Sequence, residues 1–265
     1  MAIRMPKKGE KKSYKLEKRT TTAIDKTGSR RFVHWLCAPG NVCLPTMDEE
    51  QPSFTESAQW RVFRIMAEFI EGYEFLSKLR GEVSIFGSAR AMPTDPHYKA
   101  ARELASRLAA MGHAIVTGGG PGIMEAGNRG AFDAGGDSVG LNIQLPIEQR
   151  TNKYVKRGVG FHYFFTRKVM LSASAQAYVF FPGGFGTLDE MSEMTTLVQT
   201  GKIPRNVPII LYGKDFWQPL LDWIRNVVGK KHRYVETEEI DIIHLVDTVE
   251  EAIKIIKKTS ERNFG

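Results

Sequence analysis

The chain has 265 residues, 42% of them hydrophobic and 25% charged, which suits one large domain or one domain with extensions. No stretch approaches the roughly 20 apolar residues of a membrane span, and no apolar signal-peptide core stands near the N-terminus, so a cytoplasmic protein with no membrane partner is expected. The net charge of +7 is not spread evenly: residues 1–31 carry 11 of the 37 Lys/Arg and 3 of the 30 Asp/Glu, whereas the remaining 234 residues carry 26 and 27, a net of −1.

The basic excess is therefore a tail rather than a patch on a fold. Lys7, Lys8, Lys11, Lys12, Lys15, Lys18 and Arg19 stand among few apolar residues, and disorder is expected over 1–31. Such a tail can touch RNA or an acidic surface without specificity; a solvated tail with no specific partner is the simpler reading. Pro39-Gly40, Pro45 and Pro52 break up the next segment, so an irregular extension is expected over 32–54, with Phe32, Trp35 and Leu36 available for packing. Cys37 and Cys43 lie near His34 but lack a second pair of ligands, and they read as ordinary reduced thiols rather than a metal site.

From Thr55 to Leu79, Trp60, Phe63, Met66, Phe69, Ile70, Tyr73 and Leu76 recur at three- and four-residue steps. This predicts a helix with an apolar stripe broad enough to bury two sides, one of them against a second subunit. A strand–helix rhythm comes next. Strands are expected at 83–86, 114–117, 138–143, 158–163, 177–181, 207–212 and near 240–243. Helices are expected at 98–111, 123–134, 166–175 (with Thr166 as its cap), after Thr187, and at 215–228 and 249–258. Alternating units of this kind predict an α/β domain over 55–265, a Rossmann-like, doubly wound and mostly parallel sheet with helices on both faces.

Ligands of such sheets sit beyond the carboxyl ends of the strands, where strand order reverses. Three expected strand ends carry glycine-rich turns: Gly87-Ser88, Gly118 to Gly122, and Gly183 to Gly186. The last is the most informative. An apolar run ending at Phe181 delivers Pro182-Gly183-Gly184-Phe185-Gly186-Thr187-Leu188-Asp189-Glu190 to the mouth of a helix. Free amides there favour a phosphate, and Glu190 is expected in the first helical turn. Thr187 and Glu190 also have the spacing of a capping box. Two nucleotide motifs are excluded on detail. The dinucleotide fingerprint fails because Ile123 or Glu125 stands where its third glycine belongs, and no G-x-x-x-x-G-K-[ST] run exists.

Taken together, Gly118-Gly119-Gly120-Pro121-Gly122-Ile123-Met124-Glu125-Ala126, Arg167-Lys168 and the Pro182–Glu190 stretch resemble the Lonely Guy (LOG) family, over roughly residues 56–229. Its members are cytokinin riboside 5'-monophosphate phosphoribohydrolases, often mislabelled lysine decarboxylases. The resemblance implies a Rossmann-like sheet, a homodimer, and hydrolysis of the N-glycosidic bond of a nucleoside 5'-monophosphate to free base and ribose 5-phosphate. Pro121, Glu125 and the long N-terminal extension resemble bacterial members, so AMP stands beside cytokinin ribotides as a candidate substrate. The family's catalytic pair maps onto Arg167 and Glu190. Substrate binding is expected of Gly87, Ser88, Gly118, Gly119, Gly120, Glu125, Lys168, Gly183, Gly184, Gly186 and Thr187. No metal and no cofactor is required.

The physical reading agrees with that pair. Glycosidic cleavage passes through an oxocarbenium-like state that a carboxylate stabilises, and a helix dipole would favour ionised Glu190. Arg167 could hold Glu190 or the nucleotide by forked hydrogen bonds. Glu125 could reach the ribose or pair along its helix. Lys168 would suit pyridoxal phosphate, but no context for that cofactor accompanies it. His97, His113 and His162 have no defensible partner spacing. The alternative is a non-catalytic carrier of nucleotide or molybdenum cofactor, since similar folds keep a glycine cradle without turnover.

Overall fold

The computed structural model describes residues 17–24, 30–38, 42–46, 54–144 and 151–262. The chain divides between Val62 and Phe63 into two units. In the first, strands β1 (Glu17–Ile24), β2 (Arg30–Ala38) and β3 (Val42–Thr46) form an antiparallel sheet in that order. This corrects two expectations: strand begins at Glu17, inside the expected disordered tail, and residues 30–38 and 42–46 are strand rather than irregular. Consecutive β-branched Thr20, Thr21 and Thr22 and the run Phe32-Val33 favour strand, which the surrounding charge obscured. Pro45 is accommodated because β3 is an edge strand, where a missing donor costs least. The register sets Cys37 opposite Cys43. Residues 1–16 lie outside the described residues.

Helix α1 (Phe54–Leu76) runs across the division. The second unit is a seven-stranded sheet, ordered β10-β9-β8-β4-β5-β6-β7, with every neighbouring pair parallel. Its strands are β4 (Val83–Phe86), β5 (Ile115–Thr117), β6 (Ser138–Ile143), β7 (Arg157–Phe161), β8 (Ala177–Phe180), β9 (Ile209–Tyr212) and β10 (Ile243–Val246). The helices between them are α2 (Pro96–Ala110), α3 (Ile123–Asp133), α4 (Phe164–Ser174), α5 (Phe185–Gln199), α6 (Lys214–Trp223) and α7 (Thr237–Ile240), and α8 (Val249–Ile256) follows β10. Wider π-helical turns, Ile224–Lys231, continue α6. The molecule has the doubly wound, Rossmann-like α/β architecture.

Side chains alternate across the sheet and build two cores. On one face Phe86, Tyr178, Phe180 and Leu211 meet Met170 of α4, Met191 and Met194 of α5, and Trp217 of α6. On the other, Val83, Ile85, Val179 and Ile210 meet Leu104 and Leu108 of α2, Ile123 of α3 and Ile253 of α8. β4, β5, β8 and β9 are buried along their whole length, as continuous apolar runs in a parallel sheet should be.

From β4 the chain builds outward through β5, β6 and β7, then returns to place β8 on β4's other side. Strand order therefore reverses at β4, and the loops after β8, β4 and β5 stand side by side. They are stapled together. Ser88 donates its amide to Pro182 O (2.9 Å), and its carbonyl accepts from the amide of Ile123 (3.0 Å). Gly122 makes this closure possible: its φ is 70°, and a Cβ there would run into the Ser88 carbonyl and the Ala89 backbone. Gly122→Ala should cost about 3 kcal/mol, from left-handed strain plus the clash. That corresponds to a melting midpoint lower by roughly 6–12 °C; an unchanged midpoint in a thermal melt would contradict the fit described here.

Candidate active site

Helix α5 begins three residues earlier than expected, at Phe185, with Gly184 as its N-cap, and no side chain among the described residues caps it. Its first amides therefore stand at the strand-reversal edge without a capping acceptor, the arrangement that favours an anion. A Cβ on Gly184 or Gly186 would meet nothing within 4 Å, so both open onto free space. Gly183 has no such freedom, because the Thr187 side chain and the Ser88 amide occupy the place of a Cβ.

This start overturns the capping-box reading. Thr187 is the third residue of the helix and Glu190 lies in the second turn, beyond the reach of a box. The helix dipole thus acts weakly on Glu190, and burial dominates. Glu190 is 8% exposed, and its Oε2 has no hydrogen-bond partner among the described residues. Burial pushes its pKa up to about 7, against the pull of Arg167 and Lys168 and with smaller help from Glu193 and Asp189. The expectation of a firmly ionised carboxylate is corrected: Glu190 changes charge near neutrality.

Arg167 comes from α4, which begins at Phe164, two residues earlier than expected. Thr166 is buried inside its first turn rather than capping it. The Arg167 Nε donates to the Leu141 carbonyl of β6 (2.8 Å), and its Nη2 lies where a side chain on Gly118 would stand. Burial lowers the pKa of the guanidinium, and Glu190 opposes that shift. The two groups sense each other's charge without forming an ion pair. Both can therefore engage a third body.

Lys168 faces elsewhere. Its Nζ donates to Asp189 Oδ2 (2.8 Å) and stands 3.2 Å from Glu193 Oε2, tying α4 to α5. Burial pulls its pKa down, but the two carboxylates prevail and hold it above the usual value. A lysine held protonated in this way is a poor Schiff-base former. The structure gives it a bracing position between the two helices.

The glycine loop after β5 is held by a network that sequence reading missed. Thr117 Oγ1 donates to Asn128 Oδ1 (2.6 Å) and accepts from the Gly119 amide (2.9 Å). Asn128 Nδ2 donates to Ser138 Oγ and the Val139 carbonyl. Asn152 Nδ2 reaches the carbonyls of Gly119 (3.1 Å) and Gly120 (3.0 Å) and Asn128 Oδ1 (2.9 Å). Gly119 takes φ 69° and lies against Asn142, leaving no room for a side chain. Glu125, expected at the ribose or in a helix-face pair, accepts from the Tyr98 hydroxyl (3.0 Å). Gly87 is a packing glycine, its Cβ position taken by Ile123, and Ser88 Oγ accepts from the Arg90 amide. A cleft of about 280 Å³ shares Ser88 and Gly183 with the cradle and is bounded by Arg90, His97, Ile123 and Phe216. A larger hollow of about 380 Å³, beside Tyr98, Arg102 and Arg129, touches neither Arg167 nor Glu190.

Asn128→Ala should therefore cost about 2–4 kcal/mol, since it leaves several buried partners unsatisfied at once. Chemical denaturation would read this as a lower midpoint; a change under about 0.5 kcal/mol, the scatter of ordinary surface substitutions, would show the network to be idle.

A family model described as "Possible lysine decarboxylase" matches residues 124–256. The chain is similar to the rice (Oryza sativa subsp. japonica) protein "Cytokinin riboside 5'-monophosphate phosphoribohydrolase LOG", at 31% identity over 54% of this chain and 60% of that protein. It is similar to LOG4 of Arabidopsis thaliana, a protein of the same description, at 26% identity over 68% of this chain and 83% of that one. The chain thus spans about three fifths of the rice relative's length. Among solved structures, the molybdenum cofactor binding protein from the phototrophic bacterium Rippkaea orientalis shares the fold, with a TM-score of 0.52 at 22% identity over 68% of this chain and 97% of that one.

Proposed function

The chain belongs to the Lonely Guy (LOG) family, described in its model as "Possible lysine decarboxylase", and from that premise we propose that it hydrolyses the N-glycosidic bond of a nucleoside 5'-monophosphate. The observation that carries this reading is Glu190: a buried carboxyl with an oxygen unpartnered among the described residues and a pKa of about 7, near Arg167 and in the second turn of α5. The phosphate takes the first amides of α5, next to Gly184 and Gly186. Arg167 and the loop from Gly118 to Gly120 hold the ribose end. Ionised Glu190 faces the anomeric carbon, where positive charge develops as the bond to the base breaks. It accepts a proton from water as the hydroxyl adds to that carbon. The bonding electron pair leaves with the base nitrogen, which is protonated in turn. Free base and ribose 5-phosphate result.

The relatives' names support this chemistry, and AMP is the simplest substrate for the site. Lysine decarboxylation fits poorly, because Lys168 is braced by Asp189 and Glu193. The shared fold of the molybdenum cofactor binding protein keeps a carrier role as the second reading. Chromatography separates the two: with AMP, free adenine should accumulate far beyond the molar amount of protein. Adenine that is absent, or capped at one per chain, would favour carrying.

A homodimer belongs to the same proposal. Phe63, Met66, Ile70 and Tyr73 follow one another at three- and four-residue steps along α1 and are 64%, 51%, 65% and 44% exposed. Phe164 and Phe165 at the start of α4 are exposed as well. So large an apolar surface is usually covered by a partner. Light scattering at micromolar concentration should return at least twice the 29.8 kDa chain mass; a monomer would contradict it.

A further inference from the structure

Helix α4 carries Arg167 yet supplies no cap for itself: Tyr163 at its N-cap offers no side-chain acceptor to the first turn. The acceptor arrives from α1, 94 residues before His162 in the chain. Glu68 is 8% exposed. It accepts from the amides of His162 (2.9 Å) and Tyr163 (3.4 Å) and from the hydroxyl of Thr166 (2.6 Å), itself fully buried. Three donors and the positive end of α4 offset the desolvation of this carboxylate. One turn further along α1, a Cβ on Gly72 would meet Met170 Cγ at 2.8 Å and Phe161 at 3.3 Å, so α1 is seated against α4 and β7 with no slack. Arg167 directly follows Thr166, and its Nε is held by the Leu141 carbonyl.

We propose that Glu68 is a positioning residue for the reaction: by holding the first turn of α4 it sets where the Arg167 guanidinium stands beside Glu190. This rests on the reading of Arg167 and Glu190 as the reacting pair. Glu68 touches no substrate and acts only through Arg167. A displacement on the order of 1 Å in such a group costs about 100-fold in rate, so a residue outside the site can govern kcat.

The test is a double-mutant cycle on the full chain with AMP as substrate, read at a temperature well below every variant's melting midpoint. Glu68→Gln keeps size and one acceptor oxygen but loses the charge; it should lower kcat about 10- to 100-fold with KM within about threefold. Thr166→Val, which removes one of the three donors, should give a smaller loss in the same direction, and Thr166→Ser should restore the parental rate. Arg167→Ala should lower kcat by at least about 100-fold. Adding Glu68→Gln to Arg167→Ala should then change kcat by less than about threefold, because the group it positions is gone. Full additivity, or a parental kcat for folded Glu68→Gln or Thr166→Val, overturns the proposal while leaving the reacting pair in place. A parental rate for Arg167→Ala overturns the reading of the pair, and this proposal with it.

Discussion

Replacing Glu190 with glutamine should lower AMP hydrolysis by about two to four powers of ten while leaving nucleotide binding in place. Glutamine keeps the side-chain volume but supplies neither a negative charge for an oxocarbenium-like state nor a site for water's proton. The same substitution should alter stability in a pH-dependent way. The folded-state pKa of Glu190, about 7, lies above its ordinary value of 4.5. Between those values the folded protein holds a proton that the unfolded chain has lost. The parent therefore loses stability as pH rises through that window, and the glutamine variant does not share that loss. Relative to the parent, Glu190→Gln should gain about 2–3 kcal/mol between about pH 5 and pH 8, because each pH unit separating the two pKa values is worth about 1.4 kcal/mol. Denaturant melts at the two pH values read this directly. A variant that binds AMP, does not cleave it and gains stability at high pH carries the signature of a carboxyl kept for function at a cost to the fold. Near-parental turnover would leave the chemistry without its carboxylate.

The second large effect concerns the substrate. AMP should be cleaved about three powers of ten faster than adenosine, compared as kcat/KM. The uncapped start of α5 and the open faces of Gly184 and Gly186 provide amide donors for an anion. Charge-assisted hydrogen bonds contribute about 1.5–3 kcal/mol each, so losing two or three of them reaches that ratio. Free phosphate should compete with AMP at millimolar concentration. Equal rates on nucleotide and nucleoside would refute the cradle.

Much of this was legible in the chain, for identifiable reasons. Val83–Phe86 and Ala177–Phe180 are short apolar runs leading into glycine turns, which is what buried parallel strands feeding ligand loops require. Their neighbouring placement follows from one reversal of strand order. The glycine loops and the helices bearing Arg167 and Glu190 therefore reached one edge of the sheet. The misreadings share a cause: spacing reports local options, and long-range contacts choose among them. Thr187 and Glu190 have capping-box spacing, yet Gly184 adopts the N-cap conformation and starts the helix earlier. Thr166 looks like a cap, but Glu68 has taken that role from a distant helix. Nothing near Asn128 or Asn152 announces that they clamp the loop from Gly118 to Gly120. Burial, which moves the Glu190 pKa to neutrality against the helix dipole, becomes visible only when the core is closed around it. In β1 and β2 a high density of charge masked β-branched and aromatic residues that were sufficient for strand.

The pH dependence of kcat/KM for AMP tests the role of Glu190 most directly. A limb near about pH 6 belongs to the second ionisation of the phosphate. Above it, the rate should keep rising through about pH 7 as Glu190 ionises and should level off by about pH 8. In Glu190→Gln the residual rate should lack that second rise. A parental profile that is flat above about pH 6.5, or a rise near about pH 7 that survives in Glu190→Gln, would show that the buried carboxyl is not the group whose charge drives the reaction.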